Sequence, residues 1–141
     1  MDRKNVVLAA LAAGGTHRYT PVQVQKLMFL IDRQISNRIG GPFFDFRPYH
    51  YGPFDSAVYN TVDDLAAEGL VAIDGSRKFR TFSLTPDGVT AGTAQLEKLD
   101  PKVRAFIEET SAFVRAQSFS SLVSAIYKAF PEMRVNSVFQ G

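Results

Sequence analysis

Apolar residues recur along most of this chain at intervals of three and four, and Gly and Pro pairs interrupt them at a few sharp points. The first run, from about Arg3 to Ala13, sets Val7, Leu8 and Leu11 on one side and meets a helix stop at Gly14-Gly15. Its basic start and apolar body have the outline of a short leader. An Ala-rich run of only eight residues, Val6 to Ala13, that leads into glycine fits an ordinary first helix better. A second helix begins with Thr20 as N-cap, Pro21 in the first turn and Gln23 closing a Thr-x-x-Gln capping box. Val24, Leu27, Met28, Ile31 and Ile35 then keep helical spacing until Gly40-Gly41-Pro42. Phe43 to Tyr51 has the aromatic content of a strand, with Pro48 confining it to an edge or a bend. Gly52-Pro53 predicts a turn, and Asp55 caps a third helix. There Val58, Val62, Leu65 and Ala66 form the core stripe, opposite Ser56, Asn60, Asp63 and Ala67.

The stretch Leu65 to Gly88 carries the most information. The third helix closes on Glu68-Gly69-Leu70-Val71. A short strand, a basic tip at Ser76-Arg77-Lys78 and a return strand Phe79 to Leu84 follow, and Thr85-Pro86 opens a further helix. A helix followed at once by a two-stranded ribbon with a basic tip is the outline of a winged helix. Asp100-Pro101 repeats the cap-then-proline device for a helix carrying Val103, Phe106, Ile107, Thr110, Phe113 and Val114. A last helix, about Phe119 to Phe130, buries Leu122, Val123, Ile126 and Phe130 and is stopped by Pro131. The expected fold class is therefore α+β: one winged-helix-like domain over residues 1–141, with a short antiparallel sheet (the wing, with Phe43–Tyr51 as a candidate addition) and additional C-terminal helices.

Composition narrows the chemistry. The 141 residues suit one domain with a proper core, built on twelve Phe and no Trp. There is no Cys, which excludes disulfides, thiolate nucleophiles and Cys-type zinc sites, and is compatible with a cytoplasmic setting. No segment approaches the roughly 20 apolar residues that cross a bilayer. The formal charge of +2 is unevenly spread: residues 1–50 carry seven Lys/Arg against three Asp, whereas residues 51–76 carry five acids and no base. Distinct basic and acidic faces follow. For catalysis only His17 and His50 offer imidazoles, and no nucleophile elbow, zinc-helix, phosphate-loop or dinucleotide motif is present. Asp45, His50 and Asp55 lie close in sequence, but their intervals match no ligand spacing. No catalytic residue, metal site or cofactor is assigned.

Three segments resemble one family. Val24-Gln25-Lys26-Leu27-Met28-Phe29, Tyr49-His50-Tyr51-Gly52-Pro53-Phe54 and Leu65 through Leu70 are similar to the SocA/Panacea antitoxin-type domain and its winged-helix relatives, a phage-associated family. Ile126 to Glu132, followed by Asn136-Ser137, looks like the closing motif of the same group. The resemblance implies a small bacterial or phage protein that neutralises a partner toxin by direct binding, sometimes delivering it for proteolysis; some relatives also carry DNA-binding regions. This chain differs in its clear wing, and no separate regulatory domain is read in it. The partner-binding residues implied are Gln25, Lys26, Tyr49, His50 and Tyr51.

Each of these has a plainer reading beside it. Gln25 and Lys26 fit surface contacts, because Leu27 and Met28 take the inward side; Gln25 fits equally a buried turn. Tyr and His combine apolar area with a polar tip, as interfaces favour, while Tyr51 and Phe54 also suit a core beneath the third helix. Strand alternation turns His50 away from both tyrosines. Asn136-Ser137 suits a turn cap. Arg77, Lys78 and Arg80 are placed to reach DNA phosphates from a wing, or simply to solvate a hairpin tip. The acidic outer face of the third helix suits a basic protein partner better than a major groove. The function expected is a non-enzymatic, cytoplasmic antitoxin-like regulator that binds a cognate toxin or other protein. The alternative is a DNA-binding transcription regulator, a homodimer in the usual case, gripping duplex DNA through its wing. A hydrolase ranks behind both.

Overall fold

A computed structural model describes residues 1–75 and 80–139. Within them lie six α-helices and two small antiparallel sheets, an α+β arrangement. The helices are α1 (Arg3–Ala12), α2 (Pro21–Gln34), α3 (Ser56–Ala67), α4 (Pro86–Glu97), α5 (Pro101–Ala116) and α6 (Phe119–Ala129). The strands are β1 (Arg47–Tyr49), β2 (Gly52–Phe54), β3 (Val71–Asp74) and β4 (Thr81–Leu84), with 3-10 turns at Ser36–Arg38 and Pro131–Arg134. No helix among the described residues is long and apolar enough to cross a membrane.

The helix starts are those their residues dictate. Thr20 and Gln23 form the reciprocal capping box of α2, Thr85 caps α4 through Gly88 N, Asp100 caps α5 and Ser118 caps α6. Asp55 Oδ1 accepts from Ala57 N at the start of α3. The first helix departs from its one-sided reading. Every residue from Val6 to Ala12 is buried, so α1 is surrounded by the rest of the molecule and not laid on its surface. Its run of small and apolar side chains has no polar face to give away, which is why periodicity understated it. It packs closest on α4, where Gly92 lets the two backbones meet: a Cβ there would lie 2.5 Å from Leu8 O.

β3 and β4 pair antiparallel in the register Val71↔Leu84 to Asp74↔Thr81, directly after α3. A further bridge ties Tyr19 to Phe82 through two reciprocal backbone bonds of 2.8 Å. Tyr19 is fully buried, and its hydroxyl meets Ser111 Oγ at 2.6 Å.

The aromatic segment before α3 is corrected in two respects. It does not join the sheet of β3 and β4; β1 and β2 form a separate hairpin. The turn also falls at His50-Tyr51 and not at Gly52-Pro53, which belong to β2. Pro48 stands opposite Pro53 in this register. Neither has an N–H to donate, so the pair fits the non-hydrogen-bonded position of an antiparallel ladder, and the prolines tolerate each other across the strands. Gly52, at φ +102°, takes the backbone conformation that lets the short connection close. Upstream, the buried Asp32 carboxylate holds the approach by accepting from Phe43 N and Phe44 N at 2.7 and 3.3 Å. Burial pushes its pKa up, and those backbone donors pull it back.

Two aromatic assignments also change. Phe113 is exposed, and its place in the α5 stripe is taken by the fully buried Ser111. Phe130 is half-buried, edge-on to Phe29 at 4.9 Å, while Tyr127 is the buried residue of that turn.

Candidate functional site

Three elements converge on the β1–β2 hairpin. The α2 helix supplies Gln25 and Lys26 from below. Gln25 is buried, and its amide grips the Asp55 backbone from both sides: Nε2 donates to Asp55 O at 2.9 Å, and Asp55 N donates to Oε1 at 3.2 Å. This is the buried-turn reading. It fixes where β2 ends and α3 begins. Lys26, expected at the surface, is only 3 % exposed. Its Nζ donates to Pro53 O at 3.3 Å, and burial away from water lowers its pKa from 10.5 to about 8. Surface contact by Gln25 and Lys26 is thus corrected. The α2 core is wider than a single stripe because the hairpin covers the helix's flank.

The C-terminal segment holds the hairpin from outside. Asn136 Nδ2 donates to Pro48 O at 3.2 Å, and Val138 N donates to His50 O at 2.9 Å. Tyr127 OH donates to Ser137 Oγ at 2.7 Å. Asn136 and Ser137 therefore tie a distant turn in place, a wider structural role than local capping.

On this frame the hairpin tip displays its aromatics. Tyr49 and Tyr51 are 48 % and 44 % exposed. His50 does not face away from Tyr49; the rings stack at 4.3 Å and 17°, because His50 lies in the turn, where strand alternation no longer applies. Tyr51 meets Phe119 edge-on at 5.2 Å, and Phe119, at the first position of α6, is itself 45 % exposed. Phe119 was missed in the sequence because it reads as the first residue of a core helix. The available signal was its position just after the Ser118 cap, off the Leu122–Ile126 stripe. Tyr51 is not core, and half-buried Phe54 leans on Tyr49 at 5.4 Å and Tyr59 at 5.7 Å. Between these rings and α2 lies a cleft of about 240 Å³ whose lining includes Lys26, Tyr49, Tyr51, Gly52, Phe54 and Tyr59.

The three basic residues expected on a wing divide. Arg77 and Lys78 lie outside the described residues. Arg80 lies over aromatic rings, its Cζ 5.4 Å from the Tyr59 centroid and 5.2 Å from Phe82. Of the other bases, Arg18 pairs with Asp74 at 2.9 Å and Lys4 with Glu68 at 2.9 Å, where the carboxylate raises the lysine's pKa. The outer face of α3 shows exposed Asp63 and Asp64.

Asp45, His50 and Asp55 do not assemble. Asp55 Oδ2 accepts from the Asp45 backbone N at 2.8 Å, while the Asp45 carboxylate takes Arg47 at 2.7 Å. Among the described residues no group of three His, Asp or Glu side chains is placed to hold a metal ion. No family model matches this chain, and no curated protein matches it either.

Proposed function

We propose that this chain is a non-enzymatic regulator of antitoxin type, which acts in the cytoplasm by binding a protein partner through the tip of the β1–β2 hairpin. The observation that carries this reading is the exposed aromatic group Tyr49, His50, Tyr51 and Phe119, presented on a hairpin braced by α2 and the C-terminal segment. Rigid aromatics with polar tips give large contact area at small entropic cost, the pattern of binding hot spots. The acidic outer face of α3 favours a partner with a basic surface. The SocA/Panacea resemblance supplies the class of partner, a toxin.

Co-expression with the products of flanking genes tests it. A neighbouring product that arrests growth alone should be neutralised by this chain, and Tyr51→Ala with Phe119→Ala should abolish the rescue. A neighbouring product that is harmless by itself overturns the antitoxin reading.

A second reading draws on the order of elements: α1, the Tyr19 bridge, α2, α3, then the β3–β4 ribbon, which we take as winged-helix-like. A DNA-binding regulator of this kind would contact phosphates through Arg77, Lys78 and Arg80. It predicts a mobility shift on duplex DNA that weakens steeply with salt, and no shift at low salt removes it. The acids on α3 and the seat of Arg80 over Tyr59 and Phe82 rank it second.

A further inference from the structure

We propose that the cleft between α2 and the β1–β2 hairpin binds a carboxylate carried on a small aromatic or apolar body, with the Lys26 ammonium as its counter-ion. The inference rests on Lys26 and the cleft, and not on the partner-binding reading.

Lys26 is the odd group in this region. It is a cation almost wholly removed from water, yet the five ion pairs among the described residues use Lys4, Arg18, Arg33, Arg47 and Arg104. Its one partner among the described residues is a neutral carbonyl at the long distance of 3.3 Å, so two of its three N–H donors have no acceptor among them. Burial lowers its pKa, and no carboxylate among the described residues pairs with it. A buried ammonium without a counter-ion is costly to keep. A purely structural link to Pro53 O did not need a full charge.

The surroundings show where an anion would sit. Gly52 lines the cleft, and a Cβ built on it would lie 3.7 Å from Nζ and 3.5 Å from Lys26 Cε. With no side chain on Gly52, the position beside Tyr127 and the buried ammonium end of Lys26 is left for a ligand atom. Tyr49, Tyr51, Phe54 and Tyr59 supply apolar walls with phenolic edges.

Size and charge select the ligand. A volume of about 240 Å³ lies below the roughly 300–1,000 Å³ of sites for drug-sized molecules, which excludes a nucleotide and leaves room for one ring or side chain. A single ammonium matches a single negative charge. A phosphate dianion would call for a second cation, and among the described residues Lys26 is the one Lys or Arg in the lining. A monocarboxylate is the match. It can arrive as a free aryl or alkyl acid or as the C-terminal carboxylate of a peptide ending in an apolar residue; the chemistry at Lys26 is the same.

Calorimetric and NMR titration of the full chain decides between these outcomes. The probes are phenylacetate, its neutral isostere phenylacetamide, and Gly-Gly-Phe with a free or an amidated terminus. Phenylacetate should bind saturably, at least about tenfold more tightly than phenylacetamide, as loss of a charge-assisted bond requires. Lys26→Met should bind the acid no better than the amide. If the free-acid tripeptide also binds and its amide does not, a chain terminus is an accepted source; if phenylacetate alone binds, the ligand is a small-molecule acid. Equal affinity for acid and amide in the wild type overturns the proposal, as does absence of binding by both acids or retention of acid binding in a folded Lys26→Met. The wild-type comparison needs no variant, so a misfolded substitution leaves the test intact. Growth rescue is read separately, so failure here and failure of the antitoxin reading are distinguishable.

Discussion

Replacing Lys26 by Met should make the protein more stable at neutral pH, and the gain should vanish in alkali. The folded state lowers the Lys26 pKa from 10.5 to about 8. At 1.36 kcal/mol per unit, this is a penalty of about 3 kcal/mol for holding the charged form. It applies in full only where both states are protonated, below pH 8. Between pH 8 and 10.5 the unfolded chain binds a proton that the folded chain has released, so wild-type stability from this group rises with pH. Met fills a similar volume without the charge, but it forfeits the bond to Pro53 O, which costs about 1 kcal/mol. The variant should therefore be more stable by about 2 kcal/mol at pH 7, with the gap closing to about zero by pH 10.

Urea denaturation of both proteins at half-unit steps from pH 7 to 10 measures this gap directly. Other groups titrate in the range. Tyr19 and Tyr59 are both raised by burial, and as pH passes 10 they remove stability, because the unfolded chain ionises first. Tyr49, His50 and Tyr51 share the cleft with Lys26, and Tyr127 lies beside Gly52. The contributions of Tyr19 and Tyr59 are common to the two proteins and largely cancel in the difference. A gap that stays constant from pH 7 to 10, or a variant less stable than wild type at pH 7, refutes the view of Lys26 as a desolvated, uncompensated cation.

Three further variants follow from the same packing. Gly92→Ala would gain up to about 1 kcal/mol in an exposed helix, but here the new methyl would lie 2.5 Å from Leu8 O and 2.6 Å from Ala12 Cβ, so a net loss of about 2 kcal/mol is expected in thermal denaturation. Gln25→Ala strands the Asp55 N–H, while the Asp55 C=O keeps Val58 N at 3.1 Å, and should cost about 1–3 kcal/mol, with loss of helical circular dichroism on mild heating. Tyr51→Ala with Phe119→Ala should change stability by no more than about 1 kcal/mol, since both rings are half in water, which makes the pair a clean probe of binding.

What the sequence disclosed was governed by how local each cause is. The caps at Thr20, Asp55, Thr85 and Asp100 act within three residues, and all are in place. The β3–β4 ribbon is likewise a neighbour-pairing event and pairs as expected. Burial of Gln25 and Lys26 has no such local cause: it depends on Asp55 and Pro53, 30 and 27 residues away, closing over α2. The Tyr19–Phe82 bridge and the Tyr19–Ser111 bond span longer intervals still, and nothing in the spacing of either pair announces them. The hairpin shows the two kinds of cause acting together. Pro48 and Pro53 were legible as breakers one at a time, yet set opposite each other they permit a strand pair and move the turn to His50-Tyr51. That one shift stacks His50 on Tyr49, exposes Tyr51 beside Phe119 and opens the cleft over Lys26. The candidate site is thus a product of long-range closure around two prolines.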